Sequence, residues 1–248
     1  MPNTSLHISF ADDAARALGH PLLSDYPGSY LLGSTAPDVR NLAGWDRYST
    51  HFFDLAKDQP GRGIQGLFEA YPELADAAGL GHETRAFVLG YMCHLVTDEH
   101  WIAGVYRPYF GKKASSDPIT NVLDRILQFD LDKRERNGIR DLDGVLEALK
   151  SADTGVSVSF IDSDLLSRWK DVMTERTSMD LDWDHLRRFV RKALPQRLKD
   201  DEGTMNSVIS QGPDLLSRAR KQAPDHVIAS FRAKAIDQFV AIAGEYLS

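Results

Sequence analysis

Apolar side chains recur along most of the chain at the three- and four-residue spacing of an amphipathic helix. The C-terminal segment shows this clearly, because Val227, Phe231, Ala235 and Phe239 fall near one helical face. The alternating pattern typical of strands is nearly absent outside 156–161. We therefore predict an all-α fold, with helices over 5–18, 63–79, 82–103, 117–136, 141–151, 162–177, 183–200, 204–221 and 225–247.

Start signals support several of these helices. Asp117 precedes Pro118 at a first helical position, and Asp162 or Ser163 can cap the helix over 162–177. A chain of 248 residues can form one large core. We predict a single helical domain over 1–248, with the chemistry in 1–112 and a helical scaffold in 113–248.

The stretch 19–62 has a different pattern, because proline and glycine interrupt any long helix there. A long, punctuated segment inside a compact domain is more often functional than idle. The search for a site therefore begins here. The interruptions are His20-Pro21, Tyr26-Pro27-Gly28, Ala36-Pro37-Asp38 and Gln59-Pro60-Gly61.

Composition narrows the function classes. Hydrophobic residues make up 42% of the chain, which predicts a folded domain, and the net charge of -7 gives no basic footprint for double-stranded nucleic acid. A local basic patch could still hold a small, phosphorylated substrate. Because Cys93 is the only cysteine, and because neither a secretory signal nor a membrane-spanning run is seen, we expect a cytoplasmic protein.

The most informative run is 87–101, where His94 and Asp98 are four residues apart on a predicted helix. Their side chains then lie on one face, close enough to share a metal ion, and this donor pair suits zinc, manganese or iron. A simple hydrogen-bonded pair is the alternative. The flanking residues are apolar nearly all round the helix, so the pair is buried and needs a partner or a metal.

Further ligands are sought in the punctuated segment and near the first helix. Asp38 and His51 are placed to point inward from loops, and His7 lies near the first helix start. Each alone is more typical of a cap, the core or the surface. His100 projects about 200° around the helix from Asp98, so it is either a further ligand or a residue that supports one.

Polar groups near these residues are candidates for holding a phosphate, the alternative being solvated loop charges. A carboxylate from the next predicted helix, Asp130, is a less favoured extra metal ligand. The phosphate candidates are Arg40, Tyr106 and Arg107, with Arg47, Tyr48, Lys112 and Lys113 nearby.

Three short motifs occur in a fixed order between residues 32 and 98. The first precedes and includes Asp38, the second surrounds His51, and the third places a glycine one turn before His94. They are Leu32-Gly33-Ser34-Thr35-Ala36-Pro37-Asp38, Thr50-His51-Phe52 and Leu89-Gly90-Tyr91-x-x-His94-x-x-x-Asp98.

In this order the motifs resemble the zinc-dependent phospholipase C family, which shares an all-helical bundle fold with fungal single-strand-specific zinc nucleases. The resemblance spans about residues 1–105. It implies that Asp38, His51, His94 and Asp98 bind one zinc ion, and that Asp98 also reaches another. His7 and the amino terminus would complete that other site.

The chain departs from the family at three places. The family's usual amino terminus is a processed tryptophan, whereas here Met1 stands six residues ahead of His7. Where the family has a histidine six residues after the helix aspartate, this chain has Gly104. A later pair of histidine and carboxylate is also missing, because His185 and His226 lack an acidic residue four positions on. We therefore expect one or two zinc ions, or another divalent metal such as manganese or iron, rather than three.

The resemblance implies a metal-dependent hydrolase that acts on a phosphoester of a small molecule through a zinc-activated water. Asp38 would orient or deprotonate that water. The alternative is a divergent metalloprotein that uses the site for a lyase or cyclase step in biosynthesis, or for structural binding. A phosphohydrolase with an adjacent His-Asp pair ranks last, because the chain has no such pair. The sequence gives no indication of the oligomeric state.

Overall fold

The computed structural model describes residues 3–111, 119–181 and 210–248. These residues form an all-α bundle, as predicted, and the strand-like stretch 156–161 makes only an isolated bridge between Val158 and Ile161. The α-helices, in chain order, are α1 (Thr4–Leu18), α2 (Pro21–Asp25), α3 (Pro27–Gly33), α4 (Arg40–Ala43), α5 (Tyr48–His51), α6 (Arg62–Ala70), α7 (His82–Trp101), α8 (Ile119–Gly138), α9 (Leu142–Lys150), α10 (Ser163–Ser178), α11 (Gly212–Gln222) and α12 (Asp225–Leu247).

Most predicted helices agree with the structure to within a few residues. The helix predicted over 63–79 is wrong in its second part, because α6 stops at Ala70 and Pro72 starts a short 3-10 helix, followed by another at Ala77–Gly79. Asp162 caps α10 by accepting a hydrogen bond from the Leu165 N–H, as expected. The predicted helix 183–200, the start of the one over 204–221 and the Asp117 start signal lie outside the described residues.

The punctuated stretch 19–62 folds into short helices because its prolines begin them. Pro21 and Pro27 occupy the first turns of α2 and α3, and Pro37 lies in a 3-10 helix, Ala36–Val39. Proline favours a first helical position since its missing N–H would have no helical partner there. The segment therefore turns sharply several times and brings Asp38 and His51 back toward the bundle.

Helix α7 lies at the centre of the described bundle and packs against α1, α3, α6 and α12. Nearly all its residues are buried, which explains its apolar sequence. A Cβ at Gly90 would lie 2.0 Å from the Tyr30 carbonyl oxygen, and one at Gly33 would lie 2.0 Å from the Phe87 carbonyl oxygen. Two glycines thus let the backbones of α3 and α7 touch.

A π-helix, Ile102–Phe110, continues α7 without a break, so the helical path runs past its predicted end at 103. Helices α8 and α12 pack against α1 on another side. Arg232 of α12 links them by ion pairs with Asp13 of α1 and Glu135 of α8. No helix among the described ranges is long and apolar enough to cross a membrane.

Candidate metal centre

His94 and Asp98 lie one turn apart on α7, and each is 1% exposed. The Nε2 atom of His94 is 3.8 Å from Asp98 Oδ2. The ring of His94 is fixed from behind, because its Nδ1 lies 2.8 Å from the Ser34 carbonyl oxygen. A carbonyl can only accept, so Nδ1 carries the proton. Nε2 therefore presents a lone pair toward the cluster formed by His94, Asp98 and, as described below, His51, Asp38 and His7.

His51 ends α5 and points its Nε2 at the same place, 3.3 Å from Asp98 Oδ2 and 3.4 Å from His94 Nε2. The Thr50 hydroxyl donates to the Arg47 carbonyl and lies 2.9 Å from His51 Nδ1. The hydroxyl oxygen thus accepts from Nδ1–H, which leaves Nε2 unprotonated. Two imidazole lone pairs therefore face each other, an arrangement that a bound cation stabilises.

Asp38, in the 3-10 helix Ala36–Val39, brings a carboxylate to this pair of imidazoles. Its Oδ1 is 3.9 Å from His51 Nε2, and Asp38, His51 and His94 form one of two described trios whose donor atoms all lie within 4.8 Å of each other. Tetrahedral zinc with bonds of about 2.0–2.1 Å needs its ligand atoms roughly 3.3–3.4 Å apart. The four-residue site, Asp38, His51, His94 and Asp98, therefore approaches the spacing that zinc requires.

His7, in the second turn of α1, lies on the other side of Asp98. Its Nε2 is 3.5 Å from Asp98 Oδ1, and its ring stacks on His94 with 3.8 Å between ring centroids. The trio of His7, His94 and Asp98 is the second group that could hold an ion. The two oxygens of Asp98 thus face two places, the four-residue site and the His7 side.

Unsatisfied buried atoms agree with metal binding. Both ring nitrogens of His7 and Oδ1 of Asp98 have no hydrogen-bond partner among the described residues, although both side chains are nearly fully buried. Buried polar groups normally have a partner, and a bound cation supplies one. The donor set of imidazole nitrogens and carboxylate oxygens fits zinc.

Electrostatics hold these groups in the protonation states that bind metal. Burial lowers the pKa of His94 to about 3 and also lowers the pKa of His51. Burial opposes the charge on Asp98, but contacts with His51 and His7 outweigh it and hold the Asp98 pKa well below its usual range. Burial likewise opposes the charge on Asp38, while His94 and His51 favour it, and its pKa is lowered. At neutral pH His51 and His94 therefore offer neutral imidazoles, and Asp38 and Asp98 offer ionised carboxylates.

Gly104, where the resemblance implies a histidine, lies in the π-helix and is exposed. A Cβ there would meet nothing within 4 Å. The position brings no donor to the His7 side, where His7, Asp98 and the shared His94 are the candidate donors among the described residues.

Two of the weaker candidates have other partners. The Nε2 of His100 contacts Gln238 of α12, so the structure does not bring His100 into the cluster. Asp130 pairs with Arg220 through both carboxylate oxygens and with Arg134, and it too lies apart from the cluster residues. Both side chains tie helices together.

The three candidates for holding a phosphate have different partners in the structure, and one of them lies beside the cluster. Arg107 donates to the carbonyls of Leu55, Asp58 and Asp54, so its guanidinium is occupied in holding that loop. The Tyr106 hydroxyl contacts Asn121. Arg40 is brought to the cluster, with its Nε 3.7 Å from Asp38 Oδ1.

Three further residues support the cluster, a role that the sequence did not predict for them. Arg47 donates to Asp98 Oδ2 at 3.0 Å and to the Phe53 carbonyl. Glu99 accepts from the N–H groups of Gly61 and Gly63 and so anchors the chain before α6. The position of Glu99 beside Asp98 on a buried helix was the sequence signal that could have indicated this role.

Asp132 of α8 is the most distant of these supports. It accepts a hydrogen bond from the Leu6 N–H at 2.9 Å and thereby caps α1 one residue before His7. Asn3, at the start of α1, makes no such cap with its side chain. The partners are 126 positions apart in the sequence, so no local pattern could have joined them.

The comparison with known families matches the stretch of chain that contains the candidate metal centre. Residues 6–101 match the family model described as zinc dependent phospholipase C, a range that contains all five cluster residues and ends before Gly104. No curated protein and no solved structure matches the chain. The match and the His/Asp cluster support a metal-dependent hydrolase in general. The resemblance inferred from the three motifs is thus confirmed over residues 6–101, which are similar to the zinc-dependent phospholipase C family.

Proposed function

We propose that this protein hydrolyses a phosphoester of a small molecule, with one zinc ion held by Asp38, His51, His94 and Asp98. The observation that carries the proposal is the convergence of three donor atoms on His51 Nε2, from Asp98 at 3.3 Å, His94 at 3.4 Å and Asp38 at 3.9 Å, with both imidazole lone pairs turned inward. A divalent ion bound there would polarise a phosphoryl oxygen and make water a better nucleophile at neutral pH.

Asp38 is the residue we assign to the attacking water. Its side chain is 27% exposed, whereas the other cluster residues are 1–2% exposed, so it faces the side from which water and substrate arrive. Its lowered pKa keeps it ionised and able to accept a hydrogen bond from water. In the reaction the water oxygen bonds to phosphorus, the ester P–O bond breaks, and the proton lost by water ends on the departing alcohol.

We further propose that a second ion, where one binds, uses His7 and Asp98 Oδ1 and is held more weakly. Fewer donors face that side than face the four-residue site. Manganese or iron could replace zinc at either place, because both accept imidazole and carboxylate ligands.

We also keep the expectation of a cytoplasmic, reducing environment as part of this proposal. It rests on the lone Cys93, which is buried in α7. Burial raises its thiol pKa to about 12, so the thiol is neutral at physiological pH and gives the cluster no thiolate ligand.

A second candidate function is structural metal binding, or a lyase or cyclase step in biosynthesis. Four protein ligands can occupy all the coordination positions of a tetrahedral ion, whereas catalytic zinc usually keeps one position open for water or substrate. The near-complete burial of His51, His94 and Asp98 favours such a closed cage. Exposure of Asp38 and the family match favour hydrolysis.

The test combines metal analysis with hydrolysis of chromogenic phosphomonoesters and phosphodiesters by the purified chain. We expect one tightly bound zinc and metal-dependent turnover. Asp38→Asn should keep some of the zinc and lower turnover at least about 100-fold, as general-base removal does. Asp171→Asn, at an exposed aspartate of α10, is the matched control. Full turnover in Asp38→Asn would contradict the role of Asp38, and zinc without any phosphoesterase activity would favour the second candidate.

A further inference from the structure

The cluster meets solvent on one side, and that side is defined by Asp38. The side chains of His51, His94 and Asp98 are 1–2% exposed, while Asp38 is 27% exposed. A substrate must therefore approach past Asp38. The groups that flank Asp38 decide which charge on the substrate is favoured.

Two arginines contact the carboxylates of the cluster, Arg40 at Asp38 and Arg47 at Asp98. The Nε of Arg40 is buried without a hydrogen-bond partner among the described residues and lies 3.7 Å from Asp38 Oδ1. Arg47 is held by Asp98 Oδ2 and by the Phe53 carbonyl, at 3.0 and 3.1 Å. Their side chains are 22% and 14% exposed, so both cations are partly withdrawn from water.

The charges in contact at this place balance before any ion binds. Asp38 and Asp98 contribute two negative charges, and Arg40 and Arg47 contribute two positive ones. The histidines stay neutral when their Nε2 atoms serve as ligands. One divalent ion then leaves two positive charges in excess in a poorly solvated site, which an anion of two negative charges neutralises.

Two other buried carboxyl groups lie nearby, those of Glu99 and Asp132, and backbone N–H groups offset their charges. Both oxygens of Glu99 accept from the Gly61 and Gly63 N–H groups, and Asp132 accepts from the N-terminus of α1. Backbone dipoles offset these charges locally.

We infer that Arg40 and Arg47 form an anion-recognition pair that selects a doubly negative phosphate group, so that the substrate is a phosphomonoester rather than a phosphodiester. The substrate class rests on the proposed function. Guanidinium groups bind phosphate oxygens through paired N–H donors, and a monoester offers three terminal oxygens where a diester offers two. Hydrolysis of a monoester consumes one water and releases an alcohol and inorganic phosphate, so inorganic phosphate is also a product ligand for the site.

Binding is measured by titration calorimetry of the zinc-loaded, full-length chain with inorganic phosphate and, separately, with dimethyl phosphate, a singly negative diester. We expect phosphate to bind at least about 10-fold more tightly. Arg40→Gln and Arg47→Gln should each weaken phosphate roughly 10-fold or more, as loss of a charged hydrogen bond does, and should change dimethyl phosphate less. Arg47→Lys, which keeps the charge but loses the fork, should fall between.

Controls separate recognition from damage to the metal site. Arg62→Gln removes a surface arginine that pairs with Glu69 and should leave phosphate binding unchanged. Zinc content of every variant is measured first, because Arg47 touches Asp98; Arg40 contacts Asp38 at a longer distance and gives a second, independent variant. Equal affinity for the two anions, or variants indistinguishable from Arg62→Gln, would overturn the inference.

Hydrolysis distinguishes failure of the inference from failure of the proposed function. Preference for an aryl phosphomonoester that falls in Arg40→Gln supports both. Preference for a diester, unaffected by either arginine, overturns the inference and leaves the hydrolase intact. Arginine-dependent phosphate binding with no hydrolysis of either ester supports the recognition pair and contradicts the hydrolase.

Discussion

The two oxygens of Asp98 face unequal surroundings. On the Oδ2 side, Asp38, His51 and His94 converge from separate elements, and each histidine ring is oriented by a backbone or hydroxyl partner. On the Oδ1 side His7 has no hydrogen-bond partner for either ring nitrogen among the described residues. The four-residue site is therefore pre-organised, while the His7 side depends on the placement of a single helix, α1.

The difference has a physical origin in where each element is anchored. The backbone of α3 is pressed against α7 through Gly33 and Gly90, which fixes the Ser34 carbonyl behind His94. In contrast, α1 is held at its start by Asp132 of α8, far along the chain. Metal affinity and its sensitivity to mutation should differ accordingly between the two sides.

The largest effect is expected from His94→Ala. It removes one ligand of the four-residue site and the ring on which His7 stacks. Zinc affinity should fall by more than about 100-fold, since loss of a supporting residue alone costs about 10- to 100-fold. Competition with a zinc-binding dye measures this, and His82→Ala, at an exposed histidine of the same helix, is the control. Retention of tight zinc would contradict the assignment of His94 as a ligand, because His94 belongs to both groups of donors.

The cluster shows how far sequence alone could reach. The i, i+4 spacing of His94 and Asp98 on an apolar helix predicted a buried pair, and the structure brings Asp38, His51 and His7 to it. Asp38 and His51 were expected from the motifs, and His7 was expected from the family that the motifs resemble. The support by Asp132 could not be predicted, because it joins residues 126 positions apart.

The contacts of individual arginines could not be predicted from the sequence either. Arg107 was a candidate for binding phosphate, but three carbonyl groups of the loop 54–58 occupy its donors. Arg40 has the same side chain and the same sequence signal, yet it lies beside Asp38. Only the path of the backbone between the short helices distinguishes these two arginines.

A smaller effect is expected from Gly90→Ala, which tests the close contact of α3 and α7. The added Cβ would meet the Tyr30 carbonyl at 2.0 Å and would push Ser34 away from His94. We expect a loss of about 1–3 kcal/mol in the free energy of unfolding, as overpacking causes, and weaker zinc binding.

Gly244→Ala is the matched control for this change. Gly244 lies in α12, and a Cβ there meets nothing within 4 Å, so alanine should stabilise the helix by roughly 0.5–1 kcal/mol. Both variants are compared by urea unfolding of the metal-free chain. If Gly90→Ala proved as stable as Gly244→Ala, the contact between α3 and α7 would not be tight enough to orient His94.

His7→Ala should have a still smaller effect on the first ion. The ring lies 3.5 Å from Asp98 Oδ1 but outside the four-residue site, so the first zinc should weaken less than about 10-fold while any second ion is lost. Titration calorimetry with zinc gives both stoichiometry and affinity. A chain that loses its first zinc with His7→Ala would show that the two sides of Asp98 act as one site.

The least direct effect on the metal centre is expected from Asp132→Asn, which acts on the His7 side through α1. Burial raises the pKa of Asp132 from 3.8 to about 7, so the folded chain binds this proton more tightly than the unfolded chain does. Its contribution to stability is complete below about pH 4 and is lost as the pH rises toward 7, by at most about 1.4 kcal/mol per pH unit. Asp132→Asn should remove part of that decline in the metal-free chain, measured by urea unfolding at several pH values. Glu99, whose pKa is also raised to about 7, contributes in the same direction, so the decline should shrink rather than vanish.

Asp130→Asn, on the same helix and paired with Arg220, is the control for Asp132→Asn. An equal change in both variants would assign the effect to surface charge instead of the cap on α1.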